Sequence, residues 1–358
     1  MTRAMAAALG LSCLAAAAAH AEVNHAAIAR AALENYVRPG YAQFAESAAA
    51  LDRSVAALCD KPSDAALEQT RRAFTASVGA WSLIEPVRFG PVEQEHRHER
   101  IFYWPDSKGL GTRQLREALA KHDESVTDAV ALGGRSVALQ GLPALEYLLY
   151  GDDADDLAAP GGSAFRCSFA KAVAENLVGL SREVADGWKD GAPYTQAYLH
   201  PAPDNAAYHT PKEVTLDLFK TFSTGIEGVR DQKLAKMLGV APEQARPKLA
   251  PFWRSGLSFA NMAGNLNGVR TLFAEGGFAE IVRTESRGVE ESILFDLGHA
   301  IETLRGIEQP VEEAVQDEAT RAKLEALRVA LKSAATTAGD MIARGADLSF
   351  GFNAMDGD

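Results

Sequence analysis

Side chains able to do chemistry crowd between positions 85 and 151 of this 358-residue chain. The run EQEHRHER brings Glu93, Glu95, His96 and His98 close together. By count and type such a set could ligate a metal, although the alternating spacing suits an extended loop better than one helical face. The plain alternative is a solvated loop. Arg88 and Arg113 flank the aromatics Phe89 and Trp104. Arginine beside aromatics is a common way to hold a small anionic or polar ligand. The competing reading makes RFGP and FYWPD packing motifs that anchor turns. GLPALEYLLYG, positions 141–151, is almost wholly apolar yet carries one carboxylate, Glu146. A desolvated carboxylate must be paired, hydrogen-bonded or protonated. Glu146 is therefore either half of a salt bridge that steadies the neighbouring loop or a ligand or acid–base group. No H-E-x-x-H, G-x-S-x-G, phosphate-binding loop or G-x-G-x-x-G is present, so those catalytic and nucleotide sites have no support.

The elements that must position these residues read as helices. Alanine is abundant and β-branched runs are scarce, which favours helix. Apolar residues recur every three or four positions over 23–58, with a break expected at Pro39-Gly40. Ser63 reads as the N-cap of a helix running to 84. A long irregular stretch follows, holding most of the candidate residues; such segments inside a compact domain are usually functional. Helices are expected at 113–121, 136–150, 165–188, 211–230, 253–274, 278–307 (interrupted near Gly288) and 317–344. In the 136–150 helix Pro143 suits the first position, where its missing N–H costs nothing, and Gly151 suits the stop. On that helix Leu142, Leu145, Leu148 and Leu149 form an apolar stripe, which puts Glu146 at its edge and at the lip of the core. Long amphipathic helices joined by short connections give an all-α chain of two antiparallel helical-bundle subdomains with a functional cleft between them. The expected bounds are 22–190, a linker at 191–211, and 212–358.

Residues 1–21 read as a secretory signal peptide, with Arg3, an apolar run and an Ala19-His20-Ala21 cleavage pattern. Lipid attachment at Cys13 is the alternative; Gly10 and the alanine run that follows disfavour it. No other run of 18 apolar residues occurs, so no transmembrane segment is expected. The net charge is −12, one unit more negative once Arg3 is cut away. That balance speaks against nucleic acid as a partner and suits an exported protein or one that handles cations. In an oxidising compartment the isolated pair Cys59 and Cys167 reads as one disulfide, with two unrelated buried thiols as the alternative.

RFGPVE, RIFYWPD, GLPALEYLLYG, RSGLSFANMAGNLNGV and the terminal SFGFNAMDGD resemble, in this order, the imelysin-like proteins. These are exported bacterial proteins named after an insulin-cleaving metallopeptidase. The resemblance covers essentially the whole mature chain. It implies two helical bundles with a site where they meet, an envelope location and a link to iron acquisition, with iron or another divalent metal bound in some relatives. The family signature is G-x-H-x-x-E. Gly141 and Glu146 match it, but the histidine position holds Pro143. A His/Glu metal pair at helical i, i+3 spacing therefore cannot form from this segment, and His98 or His299 would have to substitute.

Three functions follow. In the first, a non-catalytic periplasmic component linked to iron uptake binds iron or a small anion through Glu146, Glu85, Arg88, Arg113 and Trp104, with Glu146 and His98 as candidate metal ligands. In the second, the chain is a divalent-metal-dependent peptidase with Glu146 as ligand or base. In the third it docks on an envelope protein partner through its loops or its Gly-rich acidic tail and has no small-molecule site.

Overall fold

A computed structural model describes residues 23–348 apart from 160 and 162. The proposed signal peptide and the SFGFNAMDGD tail lie outside the described residues. Within them every regular element is helical and no strand occurs.

The described residues open with α1 (His25–Ala32), a π-helical turn (Leu33–Val37) and α2 (Arg38–Asp60). The helical run thus passes through Pro39-Gly40, with a π turn just before it, rather than breaking there. Proline at position 39 cannot donate back to position 35, and the wider π turn takes up that missing bond. Next comes α3 (Asp64–Ile84), whose Ser63 cap accepts from the Ala66 N–H at 3.2 Å. The irregular stretch contains only the short α4 (Arg97–Ile101) and 3-10 turns. Four helices continue the first half: α5 (Leu110–Lys121), α6 (Ala129–Gly133), α7 (Gly141–Tyr150) and α8 (Ala164–Gly187). After α9 (Pro193–Leu199) the second half runs through α10 (Pro211–Glu227), a second π turn (Gly228–Leu234), α11 (Ala235–Leu238), α12 (Ser258–Glu275) and α13 (Phe278–Glu285). It ends with α14 (Val289–Arg305), α15 (Val311–Ala314) and α16 (Glu318–Gly345).

One bundle is built on α2, α3 and α8, with α7 laid against α8. Cys59 at the end of α2 is bonded to Cys167 at the start of α8, with Cα atoms 5.6 Å apart. In the chain-entropy picture a loop of this size contributes roughly 4–5 kcal/mol. The other bundle is built on α10, α12, α14 and α16, and α1 lies against α10. Helix α12 also packs on α3, and this contact joins the halves at the level of the candidate site.

That contact is unusually close for a sequence reason. Asn261, Gly264, Asn265 and Gly268 recur at i, i+3, i+4 and i+7, so they share one face of α12. A Cβ on Gly268 would stand 1.9 Å from the Leu83 carbonyl, and one on Gly264 would stand 2.5 Å from Ser82 Cβ. The two glycines let the α12 backbone settle onto the end of α3, and the two asparagines then reach what lies there.

Candidate functional site

Two buried carboxylates organise the region. Glu85 caps the C-terminal end of α3 and is 5% exposed. Its Oε1 accepts from Lys233 Nζ at 2.7 Å, and its Oε2 accepts from Asn261 Nδ2 and Asn265 Nδ2, each at 2.9 Å. Lys233 comes from the second π turn and is itself 3% exposed. Its ammonium donates to Asn261 Oδ1 at 2.7 Å and to Asn265 Oδ1 at 2.5 Å as well as to Glu85. Ser82 completes the set: its Oγ accepts from Asn261 Nδ2 at 2.8 Å, and its carbonyl accepts from Asn265 Nδ2 at 2.7 Å. Burial by itself would raise the Glu85 pKa. The Lys233 charge and these hydrogen bonds outweigh it and hold the carboxyl below its ordinary value. Every polar proton of these side chains meets an acceptor within the protein, the Ser82 hydroxyl donating to the Val78 carbonyl at 2.6 Å.

Glu146 belongs to a different environment. The helix that carries it is pinned at both ends. At the start, Gly141 has φ +71°, and a Cβ there would lie 2.2 Å from the Ile101 carbonyl, so only glycine lets α7 begin against the irregular segment. At the end, Arg71 of α3 donates to the Leu149 carbonyl at 2.9 Å, and Arg166 of α8 donates to the Leu148 carbonyl at 3.2 Å. Cations on the last carbonyls of a helix satisfy them and favour its dipole. The helix begins at Gly141, so Pro143 is its third residue rather than its first; its missing N–H is still one that no helical carbonyl would meet. Gly151 does end the helix, with an extended backbone.

The expected place at the lip of the core is corrected: Glu146 is 3% exposed, because the segment 250–255 closes over it. Its Oε1 accepts from the Ser255 N–H at 2.9 Å and from Ser255 Oγ at 2.8 Å. Burial raises the carboxyl pKa, and the Ser255 bonds and the nearby Arg254 charge only partly offset this. Arg254 donates to Thr112 Oγ1 at 3.1 Å and lies over the Trp253 ring at 4.3 Å and the Tyr147 ring at 5.2 Å. Of the two sequence alternatives, the salt bridge is thus replaced by the two donors of Ser255 and the backbone of Arg254, whose guanidinium charge acts only through space.

Glu146 lines a small recess with Pro143, Tyr147, Trp104, Phe252 and Arg254. A wider recess of about 530 Å³ adjoins it and shares Asp106, Thr112, Lys248, Trp253 and Arg254; Arg113 and Arg116 of α5 line its other side. Trp104 stands between the two carboxylate regions. Its Nε1 donates to the Leu249 carbonyl at 3.0 Å, and Lys233 Nζ lies 5.5 Å from its ring centre.

The remaining candidates disperse. Arg88 is exposed and is not among the residues lining either recess. Its charge is felt by Glu93 and His98. His98 turns into the core, 2% exposed, with its ring 5.4 Å from that of Trp81. Burial, and then Arg88, lower its pKa to about 3, so it is a neutral imidazole. Its Nε2 has no partner among the described residues. Glu93, Glu95 and His96 remain on the surface, where Glu95 pairs with Arg97 at 3.3 Å. His299 is exposed on α14, stacked on Phe295. Among the described residues no three His, Cys, Asp or Glu side chains come together as a metal-ligand set. The donor set therefore does not fit a resident metal centre: Pro143 offers no ligand, and Oε1 of Glu146 is engaged by Ser255.

Sequence reasoning passed over Lys233, Asn261, Asn265, Arg254 and Ser255. The N-x-x-G-N-x-x-G face of α12 could have pointed to the asparagines. Nothing local marked Lys233, whose inward aim depends on a π turn.

No curated protein shows significant similarity to the chain. The structure of an imelysin-like protein from Psychrobacter arcticum 273-4 is similar with a TM-score of 0.74 at 18% identity, covering 92% of this chain and 97% of that one. A protein from Parabacteroides distasonis ATCC 8503, provisionally named iron-regulated protein A precursor, gives a TM-score of 0.74 at 14% identity, covering 90% of this chain and 97% of that one. At those identities the likeness establishes the fold. The family profile described as Imelysin (peptidase M75) matches residues 37–338. With a match that spans most of the chain, over the segment holding Gly141 and Glu146, this protein belongs to the imelysin family.

Proposed function

We propose that this protein is a periplasmic accessory component of iron acquisition, exported by a cleaved signal peptide, which binds its ligand without cleaving it. The bound site is the polar region around Glu146, to which Trp104 and Arg113 contribute directly. Glu85 supports it indirectly, holding Lys233 beside the Trp104 ring, and Arg88 stays outside both recesses. Iron is cargo in this reading rather than a resident cofactor. One observation carries it: a carboxylate held by Ser255 faces a recess, while the position of the signature histidine is filled by Pro143. A general base without a metal-ligand set around it is poorly placed to activate water for hydrolysis. The provisional name of the Parabacteroides relative is in keeping with an iron link.

The test is metal analysis of the purified native protein, with and without added ferrous and ferric iron, beside the same measurement on Glu146→Ala. Wild type should retain iron or an iron chelate and cleave no protein substrate. The variant should keep its helical circular dichroism and lose at least about tenfold in affinity, as expected for removal of a charged contact. If it binds every iron form as wild type does, Glu146 serves only to hold Ser255 in place. Chelator-sensitive cleavage of a protein substrate by pure wild type would overturn the binding reading.

A further inference from the structure

We infer that the wider recess between α5 and the segment 248–254 receives a small organic oxyanion, with carboxylate groups as the preferred chemistry. The inference rests on the binding reading above only for its link to iron.

The charge distribution carries it. In a chain of net charge −12, this recess is lined by four cations and one carboxylate. That carboxylate, Asp106, is already spent: its oxygens accept from the N–H groups of Leu110, Gly111 and Thr112 at 2.6, 3.0 and 3.3 Å, capping the start of α5. Arg116 is partly engaged, donating to Tyr147 Oη at 3.2 Å and to Asp152 at 2.7 Å. The other three cations are not neutralised by contact. The Arg113 side chain is exposed and makes no hydrogen-bond or ion-pair contact with any described residue, although its charge is felt by Glu117 one turn on. Lys248 lies over the Trp253 ring at 5.0 Å and meets no carboxylate among them. Arg254 is held by Thr112 and two aromatic faces, so its guanidinium is fixed in direction without a contacting counter-ion. Glu146 and Asp152 offset it through space without contacting it.

Surface cations in an acidic protein normally spread out or pair with carboxylates. Here they converge on a concavity of about 530 Å³, within the usual range for small-molecule sites. A guanidinium fork matches the two oxygens of a carboxylate, and its pre-set direction leaves little to be ordered on binding. The Trp253 ring, over which the Arg254 guanidinium lies, lines the recess and gives a ligand skeleton an apolar wall. A tricarboxylate fits this chemistry, and so does its ferric complex, whose outer oxygens remain anionic. Phosphate shares the oxyanion chemistry but offers no carbon skeleton for the aromatic wall.

Calorimetric titration of the full mature chain with citrate, ferric citrate and inorganic phosphate, at low and at moderate salt, tests the inference. Citrate or ferric citrate should bind more tightly than phosphate, and binding should weaken as salt rises. The double substitution Arg113→Ala/Lys248→Ala, which removes no buried contact, should weaken it at least tenfold. Tighter binding of phosphate would keep the oxyanion site and overturn the carboxylate preference. Absence of binding by all three probes, or equal binding by the double variant, would overturn the inference. The two readings fail separately. If iron uptake depends on Glu146 while no anion binds, the anion inference falls and the binding function stands. If citrate binds and iron in either form adds nothing, the anion site stands and the iron link falls.

Discussion

Glu85 and Glu146 are both buried carboxylates at the junction of the two halves, yet they are built for opposite ends. Around Glu85 the protein supplies a counter-charge, two amides and a serine, and every donor meets an acceptor. Around Glu146 it supplies the two donors of Ser255 on a single oxygen, the backbone of Arg254 and a recess, but no contacting counter-charge. Glu85 sits below its ordinary pKa and Glu146 above it. A closed network can only hold the fold together. An acid without a contacting counter-charge and set beside a recess retains capacity for something from outside.

The comparison breaks first at Lys233. Lys233→Met leaves Glu85 charged and buried without its partner, and such losses cost about 3–5 kcal/mol. The urea midpoint should fall accordingly, and adding Glu85→Gln should recover much of the loss, because a neutral pair needs no counter-charge. If Lys233→Met alone is neutral, the network does not hold α3 to α12. Gly268→Ala attacks the same junction through sterics. Its Cβ would press on the Leu83 carbonyl, and overpacking of this kind costs about 1–3 kcal/mol. Glu146→Gln should be milder, about 1 kcal/mol, because the amide oxygen can still accept from Ser255. Its larger effect should be on ligand affinity. A stability loss equal to that of Lys233→Met would mean that Glu146 too is a structural residue.

How far the sequence discloses this arrangement depends on how local each cause is. The helices were legible because period and caps are local: Ser63, the glycine stop at 151 and the break at 286–288 all lie within a turn of what they control. The cysteine pair was legible because only two cysteines remain after position 21. Within the site, the sequence could mark Glu146 as a charge out of place, and Arg113 and Trp104 as ligand-friendly types. It could not show that segment 250–255 folds over Glu146, because that burial comes from residues more than a hundred positions away. His98 misled for the same reason: a histidine in an acidic, basic-rich run looks solvated or ligating, whereas tertiary packing turns it against Trp81. Lys233 was hidden because the helix expected at 211–230 continues through a π turn, where the face of each residue departs from the 3.6-residue period.

The smallest expected effect is the most discriminating, because the two carboxylates respond to pH with opposite sign. Glu85 has a folded-state pKa below its ordinary value of 4.5. The stability it contributes is present above the unfolded pKa and is lost as pH falls through the folded one. Glu146 has a folded-state pKa above 4.5. In the window between 4.5 and that raised value the native state binds more protons than the unfolded state. The stability gained by holding Glu146 protonated is therefore present below the window and lost as pH rises through it. Urea midpoints measured from about pH 4 to about pH 7 should show wild type losing stability relative to Glu146→Gln as pH rises through this window. Below 4.5 the corresponding comparison with Glu85→Gln should run the other way, with wild type losing its advantage as pH falls. An anion bound beside Arg254 would repel the Glu146 carboxylate and push its pKa further up. Adding citrate should therefore extend the Glu146 window towards neutrality and leave the Glu85 profile below 4.5 unmoved. If citrate leaves both unmoved, the recess and the carboxylate beside it are electrostatically separate, and Glu146 takes no part in sensing what the arginines hold.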